Sequence, residues 1–172
     1  QEGTYPLPEA QLDRFLLHVQ VGYPSIDDER RILRLNRDEA KSGERDAFKP
    51  PQPLPQSSVM AGRQEILNLH LAEELEQYIV NIVVSTRKPE QVDDSLAGQV
   101  LYGASPRACM GIDRASRAHA WLSGRDYVGP EDIQAVASDV LRHRLVLSFE
   151  AEADGVSPDS IIERILDGVG VP

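Results

Sequence analysis

Three pairs of a helix-capping residue followed by proline constrain the fold of this chain most, because each pair fixes where a helix begins. The pairs are Ser105-Pro106, Gly129-Pro130 and Ser157-Pro158. Serine and glycine are favoured as N-caps, and proline suits the first helical position because its fixed φ is helical and its missing N–H has no partner there. Apolar residues recur at helical spacing after each pair. The second half of the chain is therefore predicted to be helical.

Two further helices are predicted in the first half. Ser25, followed by acidic residues that suit the positive end of a helix dipole, predicts a helix that fades by Ser42-Gly43. The region from Ser58 to Arg87 is predicted to be helical, and Lys88-Pro89 ends it. Its apolar stripe comprises Leu71, Leu75, Tyr78, Ile79, Ile82 and Val83.

The proline-rich run at residues 49–55 separates those two helices. Proline fixes φ and donates no backbone hydrogen bond, so the run is expected to be extended. A proline-rich ligand for another domain would have this composition. A stiff internal connector is favoured, since there is one such run.

An apolar run from Phe15 to Val21 predicts a buried strand near the start of the chain. One strand cannot satisfy its own backbone edges, so we expect a sheet upstream and a chain that is a fragment. Leu145 to Phe149 is predicted to be a short extended segment. The predicted fold is mainly α, with about five helices and one extended segment, preceded by one strand of a truncated α/β core.

The charge, the cysteine count and the histidine spacing argue against several functions. The net charge of −10 argues against non-specific nucleic-acid binding, which needs a basic face. No apolar run approaches the roughly 20 residues that span a bilayer. The single cysteine, Cys109, cannot form an internal disulfide, which fits a reducing cytoplasm. His18, His70, His119 and His143 lack the spacing of metal ligands, so no metal site is predicted.

Arg107 is unusual because it falls in the first turn of the helix that Ser105 caps. A cation at the positive end of a helix dipole costs about 0.3–1 kcal/mol, which an exposed surface tolerates. Alternatively, the guanidinium and the free N–H groups of the first turn bind an anion such as a phosphate. On this residue alone, the surface interpretation is slightly favoured.

Asp13-Arg14 precedes the predicted strand and has two interpretations of its own. Such a pair is usually solvated, but arginine also serves to stabilise a transferring phosphoryl group across an interface. No Gly-x-x-x-x-Gly-Lys-[Ser/Thr] loop occurs, and no apolar run ends in an Asp-Glu pair that would bind magnesium. This chain alone is therefore not expected to hydrolyse a nucleotide.

Three stretches of the sequence resemble the MoxR family of AAA+ ATPases. Residues 2–15, EGTYPLPEAQLDRF, closely resemble the segment that follows sensor 1, and residues 103–108, GASPRA, resemble sensor 2. Residues 124–133 and 140–145 are similar to the C-terminal lid of the family. The EGTYPLPEAQ stretch favours MoxR over the related magnesium-chelatase branch. The run from Pro50 to Pro55 is richer in proline than expected of the family.

The resemblance implies a role for four residues. Arg14 matches the arginine finger, which serves the nucleotide of the neighbouring subunit, and Asp13 beside it is in a position to orient it. Arg107 matches the sensor 2 arginine, which reaches the γ-phosphate of the subunit's own ATP. Ser105 is the helix N-cap at that phosphate corner. The Walker A, Walker B and sensor 1 residues of the family have no counterpart in this sequence.

The resemblance also implies a domain organisation and partners. Residues 1–24 would be the C-terminal remnant of the α/β core, and residues 25–172 the helical lid. The intact parent would use ATP and Mg²⁺, form a ring of six subunits, and act as a chaperone-like machine. Its partners would be proteins, often with a von Willebrand factor A domain, and it would bind neither nucleic acid nor membrane. A nucleotide-independent helical interaction module is the alternative.

Overall fold

The computed structural model of the chain describes residues 7–42 and 52–172, and most of these residues are helical. The α-helices are α1 (Glu9–Leu12), α2 (Ile26–Ser42), α3 (Gln56–Asn68), α4 (Glu73–Ser85), α5 (Pro106–Leu122), α6 (Pro130–Leu141), α7 (Phe149–Ala153) and α8 (Pro158–Gly168). Two short 3-10 turns, Pro89–Gln91 and Asp94–Leu96, lie between α4 and the first strand. The strands are β1 (Val100–Tyr102) and β2 (Val146–Leu147). The predicted mainly α fold is confirmed.

Helices α5, α6 and α8 begin at the predicted cap and proline pairs. The Ser105 and Ser157 hydroxyl oxygens accept hydrogen bonds from Arg107 N and Ser160 N, at 3.2 and 3.1 Å. At α6 the Gly129 amide donates to Asp132 Oδ2 at 2.8 Å, so a side chain from inside the helix completes that cap. Local sequence signals thus determine these three starts.

The core lies between α4, α5, α6 and α8, which pack against one another. Its fully buried side chains include Tyr78, Ile82, Val83, Ile112, Ile133, Val140, Leu141, Ile161, Ile162 and Ile165. Helices α5 and α6 approach closely at Gly111, where an added Cβ would lie 3.0 Å from Val140 Cγ1. Ala108 and Ala115 of α5 are buried in this core. Leu122, at the end of α5, is 78% exposed.

Strands β1 and β2 pair antiparallel beside the helices, with Val100 opposite Leu147 and Tyr102 opposite Val146. The prediction of an extended segment near Leu145 is confirmed. Its partner strand, β1, was not predicted. The predicted segment also ends earlier than expected, because Phe149 begins α7, whose cap is the Ser148 hydroxyl.

The predicted strand from Phe15 to Val21 is not formed in the described chain. These residues lie in neither a helix nor a strand, and their large apolar side chains are exposed, from 39% at Leu17 to 91% at Val21. A strand requires a neighbouring strand to pair with its N–H and C=O groups. Among the described residues no strand runs beside this segment, so its apolar pattern alone does not produce one.

The helical region predicted from Ser58 to Arg87 is interrupted at residues 69–72. Contacts distant in sequence occupy the backbone there, since His70 forms a parallel bridge with Tyr127 and its carbonyl accepts from Val128 N at 3.0 Å. The Arg117 guanidinium also donates to the Leu69 carbonyl. These carbonyls are no longer available to a helix, so α3 ends and α4 begins after a break.

The described residues form two units. Residues 7–19 and 62–172 belong to one unit, which contains the core. Residues 20–42 and 52–61 belong to the second, which contains α2 and the start of α3. Residues 7–19 therefore group with the helical region. The predicted boundary between the core remnant and the lid, after residue 24, stays a prediction. Of the proline-rich run, residues 52–55 are neither helix nor strand, and residues 49–51 lie outside the described residues.

Candidate phosphate-sensing site

Helix α5 presents the candidate anion-binding residues at its first turn. Ser105 is the N-cap and Pro106 the first helical residue, as predicted. The Arg107 side chain is 49% exposed, so its guanidinium reaches solvent from the positive end of a helix of 17 residues. Backbone N–H groups and a guanidinium at one helix end favour a bound anion.

The loop that precedes α5 is held tightly by the end of α4. Ala104 N donates to the buried Thr86 hydroxyl oxygen at 2.9 Å, and that hydroxyl donates to Val83 O at 2.6 Å. Arg87 Nε donates to the Ala104 carbonyl at 3.0 Å. A Cβ at Gly103 would lie 2.6 Å from the Thr86 carbonyl carbon, so this position requires glycine. The start of α5 is thereby fixed to α4.

Asp13 bridges the first turn of α5 to a second arginine. Its carboxylate accepts hydrogen bonds from the Ser105 hydroxyl at 3.0 and 3.2 Å and from Arg144 Nε at 3.0 Å. Arg107 Nη1 lies 3.5 Å from Asp13 Oδ2. Residues that are 92 positions apart in sequence, Asp13 and Ser105, are therefore in direct contact.

Arg144 is the functional candidate that sequence reasoning missed. Only 3% of its side chain is exposed, and its guanidinium contacts the backbone carbonyls on either side of Arg14. Burial lowers the pKa of Arg144, and the Asp13 carboxylate opposes part of that shift. Arg144 follows the end of α6 at Leu141, and a cation near a helix C-terminus is ordinary. No local signal distinguishes it from its neighbour Arg142.

Arg14 and Arg107 line one cavity of about 390 Å³. Arg14 is exposed, and Arg114 and Arg144 line the same space. The described residues that line the cavity include four arginines and one carboxylate residue, Asp13, so the lining carries net positive charge in an otherwise acidic chain. Within the described ranges no ion pair joins Asp13 to Arg14, and the Asp13 carboxylate is bonded to Ser105 and Arg144.

Histidines of the described chain contact a ring or a carboxylate at separate places. His18 and His143 pack edge to face with ring centroids 5.9 Å apart, and burial lowers the pKa of His143. His119 Nδ1 lies 2.6 Å from the buried carboxylate of Asp132, at the start of α6. In the parts of the chain that the structure describes, no group of three or more His, Cys, Asp or Glu side chains could hold a metal ion. Likewise, none of the described helices is long and apolar enough to cross a bilayer.

The chain matches a protein-family model and is similar to known proteins. Residues 96–165, which include α5, α6 and β2, match the AAA lid domain family. The chain is 43% identical to Chaperone MoxR1 of Mycobacterium tuberculosis over 99% of its own length and 44% of that protein. It is 37% identical to the uncharacterised protein YeaC of Bacillus subtilis, over 99% of its own length and 49% of that protein.

A solved structure agrees with these relatives. The crystal structure of a candidate ATPase from Cytophaga hutchinsonii superposes with a TM-score of 0.89 and 39% sequence identity. The superposition covers 100% of this chain and 51% of that one. The chain thus spans about half the length of the curated relatives it matches.

Proposed function

Because the chain belongs to the MoxR family of AAA+ ATPases, we propose that it forms the phosphate-sensing part of an ATP-driven, chaperone-like protein. The observation that carries the proposal is the shared cavity of Arg14 and Arg107. Two arginines from distant parts of the chain converge there on a space large enough for a phosphate group. Guanidinium groups bind phosphate oxygens through paired, charge-assisted hydrogen bonds.

In this proposal Arg107 is the sensor 2 residue and Arg14 the arginine finger. Arg107 has a charge partner while the γ-phosphate is present and loses it on hydrolysis, which shifts the balance between two positions of the helical lid. Arg14 stabilises the charge that develops on the transferring phosphoryl group. Ser105 keeps the first turn of α5 in place, and Asp13 holds the backbone beside Arg14 through its contacts with Ser105 and Arg144.

The shared cavity also bears on which subunit's nucleotide each of the two arginines contacts. The family resemblance gives Arg107 to the subunit's own ATP and Arg14 to the ATP of the neighbouring subunit. Residues that line one cavity would more simply contact one phosphate. The two arginines would then act together on a single nucleotide, across the same subunit interface.

ATP would be the substrate and Mg²⁺ its companion ion in the intact protein. The donor set at the cavity suits phosphate, since it is dominated by arginines, whereas Mg²⁺ prefers carboxylate and water oxygens. Asp13, the one carboxylate of the cavity, is already engaged by Ser105 and Arg144. The proposal therefore assigns only phosphate binding to the described residues, and calorimetry on this chain alone should detect no tight binding of ATP.

Mixed assemblies of the intact protein test both arginines. Arg14→Ala should lower ATP turnover by about 10³–10⁵, the range for arginine fingers. Adding subunits that cannot bind nucleotide but retain Arg14 should restore some turnover, because they supply the finger in trans. The same mixing with Arg107→Ala separates the two assignments of sensor 2. Recovery places Arg107 on the neighbour's nucleotide, and no recovery with rings still forming places it on the subunit's own. Unchanged turnover in both variants would refute the proposed function.

The assembly and the partners follow from the same family membership. We propose a ring, of six subunits, that acts in the cytoplasm on protein clients, including proteins with a von Willebrand factor A domain. Sedimentation of the intact protein with and without ATP measures the ring. Pull-down with a purified von Willebrand factor A domain, in both nucleotide states, tests that class of partner.

One observation favours the alternative, a helical interaction module that works without nucleotide. Helix α2 carries apolar side chains that are each more than half exposed, namely Ile26, Ile32, Leu33 and Leu35. An exposed apolar helix face is typical of a protein-binding surface. Partner capture that is unaffected by ATP and by Arg107→Ala would support this module over the ATP-driven machine.

A further inference from the structure

The Arg144 guanidinium is bonded with all of its hydrogens. An arginine has five N–H donors, and in Arg144 they are shared among five acceptors. Nε donates to Asp13 Oδ1, Nη2 donates to the carbonyls of Asp13 and Phe15 at 3.1 and 2.6 Å, and Nη1 donates to the carbonyls of Leu16 and Val140. A lysine has three donors at one point and cannot reproduce this set.

Four of these five acceptors belong to residues that flank Arg14. The Asp13 carbonyl precedes Arg14 in the chain, and the Phe15 and Leu16 carbonyls follow it. Arg14 itself is exposed and lines the cavity without an ion pair among the described residues. The direction in which Arg14 points is therefore set by the backbone that Arg144 holds, rather than by a contact of its own side chain.

The contact of Arg144 with the Asp13 carboxylate extends to the first turn of α5. The Asp13 carboxylate that receives Arg144 Nε also receives the Ser105 hydroxyl and lies 3.5 Å from Arg107 Nη1. Asp13 thus connects the backbone of the finger segment to the first turn of α5. A displacement of Arg144 would move Arg14 and the cap of the sensor 2 helix together.

The difference in burial between Arg144 and Arg107 indicates which of them the Asp13 carboxylate neutralises. Arg144 and Asp13 are 3% and 22% exposed, whereas Arg107 is 49% exposed and more distant. A buried guanidinium requires a counter-charge, while a half-exposed pair contributes little because water screens it. The carboxylate therefore neutralises Arg144, and Arg107 stays available to an anion.

We propose that Arg144 is a positioning residue that sets Arg14 and Arg107 relative to each other, an inference that rests on the proposed function. All of its N–H donors are engaged by protein acceptors, so none is left for a nucleotide. It acts through the backbone of residues 13–16 and through the Asp13 carboxylate. The neighbouring arginine Arg142 offers a matched control, because it contacts the His18 carbonyl and the carboxylates of Asp139 and Asp159, away from Arg14.

Tryptic cleavage measures how firmly residues 13–16 are held, without an assay of ATP turnover. Trypsin cuts after Arg14 only when the backbone of residues 13–16 leaves Arg144, so the rate of the Arg14–Phe15 cut reports that opening. In the intact protein, Arg144→Lys should speed this cut by at least about tenfold, because it leaves buried acceptors unpaired. Arg142→Lys should speed it less. Equal acceleration by both variants, or none by Arg144→Lys, would overturn the proposal.

Steady-state kinetics then test the effect on catalysis. Arg144→Lys should lower kcat for ATP by at least about tenfold with little change in KM, because a displaced Arg14 fails in the transition state. Arg14→Ala and Arg107→Ala, assayed in parallel, separate the two levels of inference. If they leave turnover unchanged, the proposed function fails. If they abolish turnover while folded Arg144→Lys retains the wild-type kcat, the positioning role fails.

A second variant covers the case in which Arg144→Lys does not fold. Asp13→Asn preserves an acceptor for Ser105 and Arg144 but removes the negative charge. It should raise the Arg14–Phe15 cleavage rate and lower kcat by smaller factors than Arg144→Lys. Wild-type values for both quantities in Asp13→Asn would overturn the proposal on their own.

Discussion

Helices α2 and α5 have the same length of 17 residues and the same kind of cap, yet their first turns carry opposite charges. At α2 the Ser25 hydroxyl accepts from Asp28 N at 3.2 Å, and the first turn contains Asp27, Asp28 and Glu29. At α5 the first turn has no acidic residue and contains Arg107. Helix α2 thus complements its own dipole, whereas the first turn of α5 does not, as the proposed phosphate site requires.

The surroundings of the two helix starts differ in the same way. An added Cβ at Gly22, before α2, would meet nothing within 4 Å, while one at Gly103, before α5, would collide with the Thr86 backbone. The start of α2 is open, and the start of α5 is packed and bonded to two other segments. A helix end that only has to be stable needs local complementarity, and one that has to sense a ligand also needs a fixed position.

Reversing the charge of each first turn should give the largest contrast. Arg107→Glu makes α5 resemble α2 and should lower ATP turnover of the intact protein by about 10²–10³, the range for losing one transition-state donor. The fold should persist, because Arg107 is half-exposed. The matched reversal Asp27→Arg at α2 should leave turnover unchanged. Turnover and far-UV circular dichroism of both variants measure this, and equal losses would remove the distinction between the helices.

Adding a methyl group before each helix tests the difference in packing. Gly103→Ala should lower the free energy of unfolding by about 1–3 kcal/mol, since it forces the Thr86 backbone to move. Gly22→Ala meets open space and should change it by no more than about 0.5 kcal/mol. Denaturant unfolding of both variants measures the two values. A tolerated Gly103→Ala would show that the start of α5 is not fixed.

Removing each cap hydroxyl should separate the helices by a smaller amount. Ser105→Ala loses the bond from Arg107 N and the two contacts with Asp13, and should cost about 1–2 kcal/mol. Ser25→Ala loses an exposed cap and should cost about 0.5–1 kcal/mol. Hydrogen exchange of the first-turn amides reports each helix separately. The comparison fails if the two first turns lose equal protection.

Raising the salt concentration should have the smallest effect on the free energy of unfolding, and mainly through the ion pairs of α2. The Arg30–Asp27 and Arg31–Asp28 pairs are exposed at 3.2 and 3.4 Å, so Arg30→Ala should cost no more than about 0.5 kcal/mol. This cost should vanish in 1 M salt, where the Debye length is about 3 Å. The buried Arg144–Asp13 pair should keep most of its contribution. Double-mutant cycles at two salt concentrations measure both pairs.

The features that the sequence predicts well are those that depend on adjacent residues. The starts of α5, α6 and α8 follow from Ser105, Gly129 and Ser157 with the prolines after them. The features that it misses depend on distant partners. The role of Arg144 requires knowing that residues 13–16 lie against it, and the break at residue 70 requires the strand-like contact with Tyr127. Periodicity carries no information on either contact.

The predicted strand at residues 15–21 also depends on distant partners. Its apolar residues indicate a buried segment, but burial and pairing are supplied by other parts of a structure and not by the segment itself. In the described chain these side chains are exposed. The apolar pattern therefore describes a relationship with neighbouring strands, which is why it predicts a sheet upstream.

The hydrogen bond from Ala104 to the Thr86 hydroxyl has a mechanical consequence. Because Gly103 has no spare space and Thr86 also bonds to Val83, the junction between α4 and α5 cannot absorb a small displacement. If Arg107 senses a phosphate as proposed, a movement of Arg107 on phosphate loss would be transmitted through this junction to α4 and its buried residues Ile82 and Val83. The two helices would then move together as one rigid unit.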